Sequence, residues 1–229
     1  MKKYFLWFTV IFYLIGISNL VFFYTEITIG KYITLACLMP MLACYFFREC
    51  KNAREKRNVL ILLSILFAWF GDLTMMFLPV CPSMLIPGLL SFLITHIMYV
   101  FIFSAGSLRD MLKPVKLLPS LLFLAYGIFL YSTIYNSPKL ETGMRIPVLI
   151  YTLAIVSGII ASVSRYGKVN TKSFVLVFAG VLLFLVSDSC LAINRFAHPF
   201  FWHYLPTMAP YFTGQFLIVI GLTDESKKQ

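Results

Sequence analysis

Apolar residues run along the chain in eight long blocks, separated by short stretches carrying Gly, Pro, Asn and basic residues. The blocks cover 4–24, 27–47, 58–78, 84–104, 115–135, 144–164, 173–193 and 204–222. Each holds about 20 residues, the length a helix needs to cross the hydrocarbon core of a bilayer. The breaks at 48–57, 79–83 and 136–143 concentrate turn-forming and charged residues. The pattern predicts an all-α fold: a polytopic membrane protein with eight transmembrane helices in one integral domain over residues 1–229. The first block follows Met1-Lys2-Lys3 as a signal peptide would. Its apolar run is too long for one and no small-x-small site closes it, so a retained helix is expected.

Composition agrees with this reading. Of 229 residues 60% are hydrophobic and only 12% are charged, where a soluble domain averages about 25% charged. So few charges cannot coat a soluble core, and the apolar excess rules out a disordered chain as well. The net charge of +10 does not point to nucleic acid, because the cations sit in clusters between apolar blocks. Sorted by alternate loops, 15 Lys and Arg fall on one side, from Lys2 and Lys3 through Arg48–Arg57 to Lys227 and Lys228. Only Lys31, Lys139, Arg145 and Arg195 fall on the other. By the positive-inside rule both termini lie in the cytoplasm of a bacterial-type inner membrane. Trp202, Tyr204, Tyr24, Tyr32 and Tyr135 fit an outer aromatic belt; Tyr4, Trp7, Tyr45 and Tyr166 fit an inner one. The five cysteines, Cys37, Cys44, Cys50, Cys81 and Cys190, form no CxxC, so neither a disulfide framework nor a zinc knuckle is expected.

Two of the nine acidic residues, Asp72 and Asp188, fall well inside predicted spans. An ionised Asp at a helix centre costs roughly 2.5–3.5 kcal/mol, so such residues face the bundle interior and mark functional sites. Both lie about 8–10 Å below the same side of the membrane, counting 1.5 Å per residue. No Lys or Arg lies deep in any span to pair with them. His96 and Tyr99 lie one turn apart in the fourth span, and Tyr211 and Gln215 share a face of the eighth. Arg195 shares the face of Asp188 two turns nearer the surface, with Asn194 beside it; it would snorkel to lipid phosphates or hold a substrate phosphate. The third and seventh spans each place a small residue before their Asp, which two parallel four-helix halves would explain, as would chance similarity of apolar helices. There is no GxSxG, P-loop or HExxH. Neither a cofactor nor a metal is expected, since His198 and His203 are too far along the chain to join His96 without a plunging loop.

The order and spacing of three motifs carry a resemblance. Phe70-Gly71-Asp72-Leu73, then Gly88-Leu89-Leu90-Ser91-Phe92-Leu93-Ile94-Thr95-His96-Ile97-Met98-Tyr99, then Ser187-Asp188-Ser189-Cys190-Leu191-Ala192 resemble the YhhN-type lysoplasmalogenase family. The last span, with Tyr211 and Gln215, is similar to that family's ending. The second span departs from it: Thr34-Leu35-Ala36 stands before Met39-Pro40 where family members often carry Thr-Lys-Pro, with Lys31 one turn earlier.

The resemblance implies hydrolysis of the vinyl-ether bond of lysoplasmenyl ethanolamine or choline, giving a fatty aldehyde and the glycerophospho head group. A vinyl ether resists base and cleaves once its β-carbon is protonated, so the reaction needs a carboxyl that keeps its proton at neutral pH. Low-dielectric surroundings favour that form. On this reading Asp72 and Asp188 are acid and partner, a division of labour known from glycosidases. His96, Tyr99, Tyr211, Gln215, Asn194 and Arg195 then bind or orient substrate and water, and the partners are a lysophospholipid and the membrane. The alternative is a small-molecule or proton-coupled transporter that uses Asp72 and Asp188 as a relay.

Overall fold

The computed structural model describes residues 2–104 and 108–227. Eight of its helices are long and apolar enough to cross a membrane. They are α1 (Lys2–Tyr24), α2 (Thr28–Glu49), α3 (Lys56–Met76), α4 (Leu85–Phe103), α6 (Pro114–Tyr135), α7 (Arg145–Ser164), α8 (Thr171–Phe196) and α9 (Tyr204–Ser226). A four-residue helix, α5 (Leu108–Met111), precedes α6 and was not anticipated from hydropathy. Single 3-10 turns, Pro82–Met84 and Thr142–Met144, lead into α4 and α7. No strand occurs among the described residues.

The helix ends follow local chemistry. Asn170 caps α8, its Oδ1 accepting from the Ser173 N–H at 2.9 Å, an arrangement worth about 1 kcal/mol. Pro114 opens α6, where its missing N–H is no loss. α8 runs three residues past the expected end and α3 stops two short of it. Asp188 therefore stands about 12 Å from the end of its helix and Asp72 about 6 Å from the end of its own, so the equal depth expected from the sequence is not kept along the helix axes.

Small residues set the closest approaches, as they do in membrane bundles, where lipid supplies no hydrophobic drive between helices. A Cβ on Gly180 of α8 would lie 2.6 Å from the Gly214 carbonyl oxygen of α9, and one on Gly214 would lie 2.7 Å from the Gly180 oxygen. On the other helix pair, Gly71 of α3 leaves room for the Phe92 ring of α4, which a Cβ would meet at 2.7 Å. These two contacts hold the helices that carry Asp72, His96, Asp188 and Tyr211.

The cation-rich end is tied together by ion pairs. Glu225 on α9 receives Arg57 at 2.9 Å and the fully buried Arg165 at 2.6 Å. Arg165 also donates to Ser173 Oγ at 2.9 Å. Buried Lys116 bonds Asp110 Oδ2 at 2.5 Å and the Ser164 carbonyl at 2.9 Å. Hydrogen bonds from Lys113 and Lys116 hold the Asp110 carboxyl down to about 2. Lys227 pairs with Glu49, and Lys172 with Asp224 at 3.1 Å. Lys228 lies outside the described residues. At the cation-poor end, buried Asn19 joins three helices: it donates to the Lys31 carbonyl and Thr34 Oγ1 of α2 and accepts from Tyr204 of α9.

Candidate active site

Helices α3, α4, α8 and α9 bring six of the sequence-expected residues into three hydrogen-bonded pairs, and three of their rings pack against Phe184 of α8. Its centroid lies 4.8 Å from the His96 ring, 5.4 Å from Tyr211 and 6.3 Å from Tyr99, each contact edge-on. Phe184 sits one turn below Asp188 on the same face, so the helix that carries the carboxyl also supplies the ring that its partners pack against.

Three polar pairs surround this ring. Asp188 Oδ2 and His96 Nε2 share a hydrogen bond at 2.9 Å, both side chains almost fully buried. Tyr211 donates its hydroxyl to Asp72 Oδ2 at 2.9 Å. Tyr99 donates to Gln215 Oε1 at 2.5 Å, and the fully buried Gln215 keeps Nε2 without a hydrogen-bond partner among the described residues. Tyr99 and Gln215 are 116 residues apart, the same separation as Asp72 and Asp188. Each Asp bonds a residue from the helix that follows the other Asp: Asp72 on α3 reaches α9, and Asp188 on α8 reaches α4.

The two carboxyls are not equivalent. Asp188 lies in the wall of a cavity of about 360 Å³ bounded by α4, α6, α7 and α8, whereas Asp72 does not line it. Leu90, Leu93, Val148, Ile155, Leu191 and Phe196 line much of this cavity, and its polar side chains are Asp188, Tyr151 and Thr152. Its size and predominantly apolar lining suit one chain of a small amphiphile. Asp72 is enclosed behind Tyr211, whose ring packs edge-on against Phe92 and Phe184.

Tyr151 is the functional candidate that sequence reasoning missed. Its hydroxyl lies 3.4 Å from Asp188 Oδ2, and its ring stands edge-on to His96 at 5.4 Å. A tyrosine in mid-span, where its hydroxyl must find a partner, was the available signal. Ser189, beside Asp188, accepts from Tyr126 on α6 at 2.8 Å.

The two residues expected nearer the surface lie apart from this cluster. Arg195 is exposed at the end of α8 and makes no hydrogen bond to the described residues. Asn194 Oδ1 accepts from the Phe200 N–H at 3.1 Å and borders a wider surface pocket of about 880 Å³ with Glu26, Lys31 and His203. Lys31 lies there over the Phe23 and Tyr32 rings. No group of three or more His, Cys, Asp or Glu that could hold a metal occurs among the described residues.

The chain is 30% identical over 140 residues to human "Lysoplasmalogenase TMEM86B", which is 61% of this chain and 54% of that protein. It is 24% identical over 189 residues to the pig protein of the same name, 82% of this chain and 74% of that one. The chain thus spans about half the length of the human relative it matches. No solved structure matches it. The sequence model of the YhhN family covers residues 28–222, from the start of α2 to the last turns of α9 and so through every residue around Phe184; this integral membrane protein belongs to the YhhN family.

Proposed function

We propose that the protein is an alkenyl ether hydrolase that cleaves the vinyl-ether bond of lysoplasmenyl ethanolamine or choline. The observation that carries this reading is the buried Asp188–His96 pair in the wall of an apolar cavity, together with the lysoplasmalogenase names of the relatives. The chemistry needs a proton donor, an apolar berth for a hydrocarbon chain and a water.

The proton held by the Asp188–His96 pair passes from Asp188 to the β-carbon of the vinyl ether, and the double-bond electrons form the new C–H bond. The α-carbon becomes an oxocarbenium ion. The Asp188 carboxylate left behind, 2.9 Å from His96, offsets that charge. Water adds to the α-carbon and returns its proton to the pair. The hemiacetal then breaks, its hydroxyl proton moving to the glycerol oxygen, and releases the aldehyde and the glycerophospho alcohol. No net proton is consumed. Tyr151, against both Asp188 and the cavity, positions the carboxyl. Tyr99, bonded to Gln215, packs against the Phe184 ring that backs His96, and the Asp72–Tyr211 pair holds Phe184 and Phe92 in place. The protein lies with its cation-rich face and both termini toward the cytoplasm.

The test is aldehyde release by the purified protein from 1-O-alkenyl-glycerophosphoethanolamine and from its choline counterpart. The saturated 1-O-alkyl analogue should give none, having no double bond to protonate. In D2O the trapped aldehyde should carry one deuterium on the carbon next to the carbonyl. Purified, folded protein that releases no aldehyde from either lipid would overturn the proposal, and pH-dependent solute flux in liposomes would then favour a transporter.

A further inference from the structure

The cavity beside Asp188 has a side facing lipid. Ile86 and Leu90 on α4 and Ile150 on α7 all line it, yet they are 64%, 53% and 47% exposed. On a spanning bundle such exposure means contact with acyl chains, so the seam between α4 and α7 joins the cavity to the bilayer interior. A ligand that leaves by this seam needs no water-soluble chain.

The upper rim of the cavity carries charge. Of the four basic residues on the cation-poor side, two are next in sequence to residues that line the cavity at this end: Arg195 beside Phe196 and Arg145 beside Met144. Arg195 extends the stripe of Asp188, Leu191 and Ala192 along α8, seven residues above Asp188 and so about 10 Å higher. Phe196 beside it lines the cavity. Arg145 opens α7 next to Met144, another lining residue, and stands above Val148 and Thr152 on its helix. Its guanidinium is stacked 4.6 Å over the Tyr135 ring, and its Nε is buried with no hydrogen-bond partner among the described residues. A head-group phosphate at this rim would leave about 10 Å to Asp188, a span that a glycerol backbone and its ether oxygen can bridge.

We propose that this cavity is a lateral port for a single-chain phospholipid: Arg145 and Arg195 bind the phosphate at the rim, and the chain passes Asp188 and leaves between α4 and α7 into the adjoining leaflet. The proposal rests on the hydrolase reading for its choice of lipid, but its binding geometry is independent of turnover. It assigns Arg145 a role in binding and places Arg195 at the head group.

The experiment is equilibrium binding of radiolabelled 1-O-hexadecyl-glycerophosphocholine, an uncleavable alkyl ether, to the purified full-length protein. Unlabelled lipid, 1-O-hexadecylglycerol and glycerophosphocholine serve as competitors. The phosphate-bearing lipid should bind at least about tenfold tighter than the alkylglycerol, as charge-assisted contacts predict, and glycerophosphocholine should not compete. Arg195→Gln, at an exposed side chain, should remove part of that preference; with Arg145→Gln added it should vanish while alkylglycerol binding stays as in the wild type. Leu90→Trp, at a lipid-facing position, should weaken both lipids by narrowing the seam. Equal wild-type affinity for the two lipids, a preference retained in the double variant, or competition by glycerophosphocholine as strong as by the lipid would overturn the port. So would unchanged binding in Leu90→Trp. The expected binding pattern without aldehyde release from the alkenyl lipids supports the port and overturns only the hydrolase reading.

Discussion

The meeting of Gly180 on α8 with Gly214 on α9 offers a direct test of how the site is held. A methyl group on Gly180 would meet the Gly214 carbonyl oxygen at 2.6 Å, Ile218 Cγ1 at 2.8 Å and the Ile218 nitrogen at 2.9 Å. Two of these neighbours are backbone atoms of α9 and cannot rotate away, so Gly180→Ala must part α8 from α9. Overpacking of this kind costs about 1–3 kcal/mol. For a chain of this length each kcal/mol lowers the melting temperature by about 2–4 °C, which puts the loss at several degrees. α8 carries Asp188 and Phe184 while α9 carries Tyr211 and Gln215, so the same shift also loosens the site and lowers aldehyde release. Gly158 in α7 is the matched control, because nothing lies within 4 Å of a Cβ there. Gly158→Ala should be neutral or stabilising by up to about 1 kcal/mol through helix propensity alone. The assay is thermal unfolding of both purified variants beside the wild type. A Gly180→Ala protein that melts with the wild type would refute the α8–α9 contact and the site geometry built on it.

Tyr211→Phe removes the hydroxyl donated to Asp72 and leaves a buried carboxyl without it, so thermal unfolding should show a loss of about 1–3 kcal/mol. Tyr151→Phe keeps the ring against His96 but drops the 3.4 Å contact to Asp188; stability should hold while steady-state kinetics show kcat falling by more than KM changes. Asp110, outside the spanning helices, is held at about 2 by Lys113 and Lys116, below the ordinary carboxylate range. Its contribution to stability is therefore complete above about pH 4 and is lost as pH falls through 2. Melting temperature followed from pH 5 to 2 should fall for the wild type, and the part due to Asp110 should be missing in Asp110→Asn, which starts lower at pH 7.

Hydropathy made the eight spanning helices legible because each must bury its backbone polar groups in a run of fixed length. Their ends at Tyr24, Tyr135, Ser164 and Tyr204 fell where expected and the others shifted by one to four residues, as at the Asn170 cap and at Pro114. The helix α5 escaped because four residues carry no periodicity. Within the site, the cost of a buried charge singled out Asp72 and Asp188, and depth then drew in His96, Tyr99, Tyr211 and Gln215. All six meet in hydrogen-bonded pairs, with His96, Tyr99 and Tyr211 against Phe184. Their pairing was not legible: periodicity says which residues share a face of one helix, but not how helices are rotated against each other. Hence the crossed partnership of Asp72 with Tyr211 and Asp188 with His96 emerged only in three dimensions, as did the difference between a carboxyl on the cavity and one behind it. Tyr151 shares no helix face with a second polar residue, as Tyr99 does with His96 and Tyr211 with Gln215, so its sequence signal is weaker. Asn194 was placed with Asp188 by nearness in sequence, yet its side chain serves the loop at Phe200.

In the proposed reaction Asp188, set in the cavity wall beside His96, delivers the proton. Aldehyde release from 1-O-alkenyl-glycerophosphocholine by purified Asp188→Asn, compared with wild type of matched melting temperature, tests it most directly. The carboxamide fits the same space and can still bond His96 but has no acidic proton, so the rate should fall by about 10²–10⁴-fold, the usual worth of a general acid. Asp72→Asn, which can still accept from Tyr211, should lose far less. A folded Asp188→Asn protein that releases aldehyde at the wild-type rate would contradict the account.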